Sequence, residues 1–449
     1  MGKICPERSG SARTQLEQAL ERCAVFGMKP GLDAVRTVCA TMGDPQDSLR
    51  VVHVAGTNGK GAVCALVDSA LRAAGFRTGR YTSPHLVSLN ERFFLDGAPV
   101  QEEKLDAAFA AIRDADALTY FELLTVTAFE LYRREKVDYL VLETGLGGRL
   151  DATNIVKRPE VCVITRIGLD HCDWLGHTIA EIASEKGGII KPGVPVVLGA
   201  MPDEARAVLE NIAAERDAPC VYAPDSALSG DFGESGLTGK LALGGKFNRE
   251  NAITALAALK VLCVGSDAIG RGFSSVVWPG RFQRIAKDGK SFLVDGAHNP
   301  PAMRALVDAV KEDMSLSLSA AICGFCGDKD VASNLRTLRE IVDVGYAVPI
   351  RNPRSLTPER TAALMREAGF REAHVCGSVE EAIAKVPTGA VVCGSLFLAG
   401  EALEVLGAIP CGRYVPNEAI RGIIRPNSDF QKASAKQRTK DEEERTAEE

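Results

Sequence analysis

Short apolar runs recur along the chain, each followed by a glycine-bearing turn and then by apolar positions at helical spacing. In the first part the runs are "RVVHVAG", "FRTGRYTS", "VDYLVLETG", "EVCVITRIG" and "VPVVLGA", with stretches such as "GAVCALVDSALRAAG" and "ELLTVTAFELYRREK" between them. A second series starts at "SFLVDGAHNP" and continues through "AAICGFCGD", "VGYAVPI" and "GAVVCGSLFLAG". Its helices are "PAMRALVDAVKEDM" and "TPERTAALMREAG". Such repetition predicts an α/β protein with parallel sheets and crossover helices.

The break between the two series falls near "WPGRFQR". Placing it at Val276 gives a first domain over 1–275 and a smaller one over 276–412. The Gly-, Ser- and Asp-rich piece from Asp225 to Gly245 reads as a loop or small excursion. Beyond Pro416 the apolar pattern stops, and "KASAKQRTKDEEERTAEE" cannot bury a core, so 413–449 is expected to be a disordered tail.

Composition narrows the class. The 449 residues suit two domains, and 46% hydrophobic with 25% charged residues is the balance of an ordinary globular chain. A net charge of −6 gives no sign of a nucleic-acid or anionic-membrane partner. The 13 cysteines, scattered from Cys5 to Cys411 without a repeating spacing, predict reduced thiols and a cytoplasmic protein. No apolar run has transmembrane length, and "MGKICPERSG" lacks a signal core and carries Pro6 where myristoylation needs a hydroxyl.

The candidate chemistry starts at "VVHVAGTNGKGAVCALV" (51–67), a strand, a tight turn and a helix. Backbone N–H groups at such a turn suit a polyphosphate, Lys60 can reach its outer phosphates, and Gly56, Gly59 and Gly61 allow close approach. An ordinary P-loop follows its lysine with Ser or Thr to hold Mg²⁺; here Gly61 and Ala62 follow, and neither has an oxygen to offer. Other strand ends carry hard ligands: Ser83, Glu143, and Asp170 with His171. In an open parallel sheet these ends gather on one side, so the four can converge on one nucleotide. "DHCDWLGH" lacks the second cluster a zinc site needs, and "CGFC" (Cys323 to Cys326) reads as two buried thiols rather than a redox pair.

The segments "HVAGTNGKG", "YTSPHL", "NER", "YFELLT", "LETGLGGRLDATN", "IGLDH", "EIASEKGGIIKPGVP", "WPGR", "DGAHNP" and "GDKD" occur in that order. Together they resemble the folylpolyglutamate synthase/dihydrofolate synthase family of the Mur ligase superfamily, over the chain up to Ile409. The resemblance implies a P-loop NTPase-like domain of Mur central-domain type followed by a smaller Rossmann-like domain. It implies an ATP-dependent amide ligase: the pteroate or folate carboxylate is phosphorylated, and the amine of L-glutamate displaces phosphate from the acyl phosphate.

Carried over by position, Asn58, Gly59, Lys60 and Gly61 cradle the phosphates, and Asn251, Arg281 and Asp295 contact the nucleotide. Ser83 and Glu143 hold one Mg²⁺ and His171 a second, helped by Lys186 as a carbamylated lysine. Thr119, Tyr120, Phe121 and Glu122, with Leu150, Asp151 and Ala152, match the pterin contacts, and His298 and Ser395 support the site. Lys60, Lys186, His171 and Glu143 are thus the expected catalytic group. The partners implied are dihydropteroate or a folate, L-glutamate and ATP, with a monomer expected.

This chain departs from the family in having Gly187 after the lysine, Phe247–Asn248 where "HQ" is usual, and Ala62 after the loop; "KPGL" (29–32) aligns only loosely. A different Mur-type ligase acting on a cell-wall precursor would carry "GKS/T" and an extra N-terminal domain, whereas only about fifty residues precede this loop strand, too few for a domain. A non-catalytic nucleotide-binding protein of this fold would have no need of Lys60, Ser83, Glu143, His171 and Lys186 together.

Overall fold

The computed structural model of the chain describes residues 14–23, 31–225, 241–313 and 315–409. Lys29 and Pro30 of "KPGL", 226–240 of the polar excursion and the expected tail 413–449 lie outside the described residues.

Among the described residues fourteen strands form two sheets. The first contains β1 (Val51–Ala55), β2 (Thr78–Tyr81), β3 (Phe93–Leu95), β4 (Ala98–Pro99), β5 (Tyr139–Glu143), β6 (Val161–Ile164), β7 (Val196–Leu198) and β8 (Cys220–Tyr222). Their order is β4-β3-β2-β5-β1-β6-β7-β8, with β2, β5, β1, β6, β7 and β8 parallel to one another. The second contains β9 (Gln283–Lys287), β10 (Lys290–Val294), β11 (Ala320–Cys323), β12 (Val344–Ala347), β13 (Glu372–Val375) and β14 (Gly389–Cys393), in the order β13-β12-β11-β14-β10-β9.

Each sheet is covered on both faces, which is why its central strands read as unbroken apolar runs. Val52, Val54, Val141 and Val163 pack beneath the helices Lys60–Ala73 and Lys246–Val261. On the opposite face Leu140 and Leu142 meet the helix Tyr120–Arg134, and Cys162 and Ile164 meet Ile179–Gly187. The second sheet is built alike, with Phe292, Ile322 and Val392 against Leu396–Leu406, and Leu293, Ala321 and Val391 against Pro300–Glu312 and Val331–Leu338.

Two hairpins escape the apolar-run reading. The β3–β4 pair caps one edge of the first sheet antiparallel to β2. The second sheet begins not at "SFLV" but one strand earlier, at β9, which pairs antiparallel with β10. Asp288 (φ 50°) and Gly289 (φ 74°) both have positive φ, as a two-residue hairpin turn matched to sheet twist requires. No helix among the described residues is long and apolar enough to cross a membrane.

A buried polar chain ties the middle of the first sheet to the loop after β5. His53, in the centre of β1, lies 2.8 Å through Nε2 from the Thr153 hydroxyl, which itself donates to Asp151 at 2.6 Å. The single hydroxyl proton is thus committed to the carboxylate, so Nε2 carries a proton and donates to the hydroxyl oxygen. Burial, with Lys191 nearby, pushes its pKa down to about 3. Between about pH 6.5 and about 3 the unfolded chain therefore binds a proton that the folded chain excludes, and stability is lost as pH falls through that window. At about 1.4 kcal/mol per unit the loss attributable to this ring reaches about 4–5 kcal/mol at the acid end. Denaturant unfolding at a series of pH values should show a slope between pH 6 and 4 that His53→Asn reduces by about one proton; equal slopes would contradict the assignment.

Candidate active site

Strands β2, β5, β1 and β6 are adjacent and parallel, so the segments leaving them emerge side by side. In the second sheet β10, β14 and β11 are likewise adjacent and parallel. A cleft of about 1120 Å³ lies between these ends, lined by Lys60, Glu143 and His171 from the first sheet and Asp295, His298 and Ser395 from the second.

The phosphate-type loop leaves β1 at Gly56, whose φ of 147° admits no ordinary side chain, and a Cβ there would fall 1.9 Å from the Thr165 hydroxyl. Thr57 and Asn58 donate their backbone N–H groups to Arg166, pinning the loop to the segment after β6. The helix Lys60–Ala73 starts at Gly59 with no side-chain cap and no acid in its first turn. Its first N–H groups keep a positive end for an anion. Gly59 (φ 92°) also makes room for Asn251, because a Cβ there would meet the amide oxygen at 2.2 Å. Asn251 is held by Asn248 at 3.2 Å, which in turn donates to Gly244. The unusual "FN" thus divides its duties: Asn248 supports the loop's asparagine, while Phe247 packs edge-on against Phe282, 6.0 Å between centroids, and joins the core of the second sheet.

Lys60 and Lys186 meet on one acceptor. The Gly56 carbonyl takes the Lys60 ammonium at 3.2 Å and that of Lys186 at 2.9 Å. Lys186 is buried, and burial together with the Lys60 charge pushes its pKa down to about 7. Glu143, the last residue of β5, lies 3.9 Å from Lys60 and accepts the Ser83 backbone N–H at 3.0 Å. That bond ties the Ser83 backbone to a buried carboxylate, whose pKa burial raises against the pull of Lys60. His171, in a left-handed turn at the cleft mouth, has its pKa lowered by desolvation, against Asp170, so the imidazole is neutral near pH 7. Among the described residues no three or more His, Cys, Asp or Glu form a metal cluster.

The pterin-contact positions divide into two groups. Thr119 caps the helix Tyr120–Arg134, and Glu122 returns the bond, accepting the Thr119 N–H at 2.7 Å. Thr119 stays outside the cleft lining, whereas Tyr120, Phe121, Glu122, Leu150, Asp151 and Ala152 belong to it. Phe121 lies on Gly145, where a Cβ would meet its ring at 2.5 Å. Asp151 spends both oxygens inside its own turn, on the N–H groups of Gly145, Leu146 and Thr153 and on the Thr153 hydroxyl. Its part is to shape the glycine-rich loop.

From the second domain, Asp295 accepts the N–H groups of Phe282 and Ala297, both at 2.8 Å, fastening the connecting segment to the end of β10. Arg281 is half-buried beside Asp295 and Glu143. Asn299 crosses the cleft to donate to Asp170 at 3.0 Å, and Lys329 of "GDKD" lies 3.8 Å from the same carboxylate. The apolar pattern gave no hint of this crossing. Its only signal was that "IGLDH", "DGAHNP" and "GDKD" all end strands.

Residues 54–259 match the Mur ligase middle domain family and residues 280–395 the Mur ligase glutamate ligase domain family. The chain is 37% identical over 395 residues to the dihydrofolate synthase/folylpolyglutamate synthase of Escherichia coli, covering 84% of this chain and 92% of that protein. It resembles the structure of E. coli FolC in complex with DHPP and ADP at a TM-score of 0.78 and 34% identity, over 88% of this chain and 98% of the other. A bifunctional folylpolyglutamate synthase/dihydrofolate synthase with Mn, AMPPNP and L-glutamate bound gives a TM-score of 0.76 at 33% identity, over 89% and 100%. With both Mur domains in order and this identity across most of its length, the chain belongs to the folylpolyglutamate synthase/dihydrofolate synthase family of ATP-dependent Mur ligases.

Proposed function

We infer that this chain joins L-glutamate to the carboxylate of dihydropteroate, of a folate, or of both, at the expense of ATP. The observation that carries this reading is the meeting of Lys60 and Lys186 on the Gly56 carbonyl, with Glu143 3.9 Å from Lys60. Excess positive charge beside an uncapped helix end suits a polyphosphate. The solved relatives carry ADP with DHPP, and AMPPNP with L-glutamate, and the same ligand classes are proposed here. In this reading residues 1–275 form the nucleotide domain and 276–412 the glutamate-ligase domain.

The substrate carboxylate oxygen attacks the γ-phosphorus, ADP leaves, and the amine of glutamate then displaces phosphate from the acyl carbon. Lys60 and the loop amides of Gly59 and Gly61 oppose charge on the transferred group, while Asn58, pinned to Arg166, shapes the loop that presents them. Asn251, Arg281 and Asp295 hold the nucleotide, and His298 and Ser395 flank it from the second sheet. Tyr120 and Phe121 offer aromatic surface to the pterin, with Leu150 and Ala152 beside them; Thr119, Glu122 and Asp151 fix the backbone that presents those groups.

The oxygen donors fit a hard cation. Ser83 and Glu143 would hold one Mg²⁺, and His171 with a carbamylated Lys186 a second, each ion completed by phosphate oxygens and water. Bound there, magnesium neutralises charge on the polyphosphate. The lowered pKa of Lys186 leaves a neutral amine available at pH 7 to add CO₂, releasing a proton and replacing an ammonium with an anionic oxygen ligand. The described cysteines are all free thiols, in keeping with the cytoplasmic setting proposed here; a monomer is the working proposal.

Phosphate release should require ATP, L-glutamate and either dihydropteroate or a reduced folate together. With ¹⁸O in the substrate carboxylate, one labelled oxygen should appear in the released phosphate; unlabelled phosphate, or turnover without the carboxylate substrate, would sink the reading. Ser83→Ala should lower magnesium-dependent turnover roughly 100-fold, as removal of a metal ligand does, whereas Ala62→Ser should leave it near the starting value. The reverse pattern would return the metal hydroxyl to the loop. Lys186→Ala should lose most activity, and Lys186→Glu, which restores a carboxylate, should recover part of it; full activity in the alanine variant would contradict the second metal site.

A further inference from the structure

Trp278 stands in the segment joining the helix Ser266–Ser275 to β9, yet its indole reaches back to the phosphate loop. A Cβ on Gly61 would come within 2.3 Å of the indole Cζ2, so the ring lies directly against the backbone of the helix's first turn. The ring packs with the core beneath that helix and also lines the cleft. Two guanidinium groups face it, that of Arg80 at 5.2 Å from the ring centroid and that of Arg281 at 6.0 Å. Arg80 is itself fixed, 3.9 Å from the Phe94 ring and 3.4 Å from Asp68 of the same helix. Arg281 lies in the cleft lining, beside Glu143 and Asp295.

We propose that Trp278 is a positioning residue for the nucleotide, its indole holding the backbone at Gly61 and the guanidinium of Arg281 in one arrangement. The space at position 61 is the space the ring occupies. An ordinary P-loop hydroxyl cannot stand there while the indole does, so "GKG" and "WPGR", far apart in sequence, are two halves of one feature. A rigid aromatic ring suits this work, because it bridges two elements with few torsions of its own. A tryptophan that merely filled core would, when truncated, lower stability and weaken all substrates alike. One that sets Gly61 and Arg281 acts on the nucleotide, because those are the groups proposed to hold it. The proposal rests on the nucleotide reading of the Lys60 loop.

The test uses the full chain and four variants: Trp278→Leu, Trp278→Phe, Gly61→Ala and the Gly61→Ala/Trp278→Leu pair. Trp278→Leu should raise the KM for ATP about tenfold while the KM values for glutamate and dihydropteroate stay within about twofold, and Trp278→Phe should fall between. Gly61→Ala should weaken ATP use more than Trp278→Leu does, and the double variant should return to the level of Trp278→Leu alone, a coupling that independent sites do not show. Strictly additive effects, or equal rises for all three substrates, would overturn the proposal. The chain has only two tryptophans, so in a Trp174→Phe background the emission of Trp278 reports directly, and titration with ADP and magnesium should shift it saturably. Should Trp278→Leu fail to fold, an emission that saturating ADP leaves unchanged overturns the proposal by itself. Failure of the parent chain to bind ADP by calorimetry would instead sink the nucleotide reading on which the proposal stands.

Discussion

Two lysine ammoniums share the carbonyl of Gly56, and the rest of the site is arranged around that crowding. A backbone oxygen can accept both, but it cannot neutralise them. Glu143 approaches only Lys60, and Lys186 answers its burial with a lowered pKa. The arrangement is thus short of negative charge, which is the condition of a site made for anions. The geometry that enforces it is local. Gly56 has the one residue type that tolerates its φ, Thr165 fills the space a side chain would take, and the helix Ile179–Gly187 delivers Lys186 from the far side of β6.

The second requirement is that water be kept from the reacting groups while two substrates and a nucleotide meet, and one open sheet cannot do this alone. The carboxyl ends of a second sheet face the first, and the join is fastened by polar and apolar means together. Asn299 and Lys329 converge on Asp170 across the cleft, while Phe247 enters the core of the second sheet beside Phe282. Arg281, in the segment before β9, lies beside both Glu143 at the end of β5 and Asp295 just after β10.

How much of this is legible in the sequence differs from feature to feature, for physical reasons. Glu143 is readable because a buried strand, "YLVLE", is apolar until its last residue. The loop at Lys60 is readable because glycines mark backbone that must be approached closely. What approaches is another matter. At Gly59 and Gly61 the intruders are Asn251 and Trp278, distant in sequence, and nothing in the spacing of glycines names them. Periodicity also passes over β9, whose alternation is that of an edge strand with one exposed face, although the "DG" turn before β10 marks the hairpin. Thr119 and Glu122 show a further limit: a capping box and a substrate contact draw on the same residue types, and only the hydrogen bonds separate them.

The central claim is that the charge crowding at Gly56 makes Lys186 a carbon dioxide acceptor and thereby a metal ligand. It is tested most directly by ¹³C NMR of the protein equilibrated with ¹³C-labelled bicarbonate and magnesium nucleotide. A carbamate carbon signal that is present in the parent chain and absent from Lys186→Ala, and that tracks activity as bicarbonate is removed, is the predicted result. A fully active enzyme with no such signal would contradict the account.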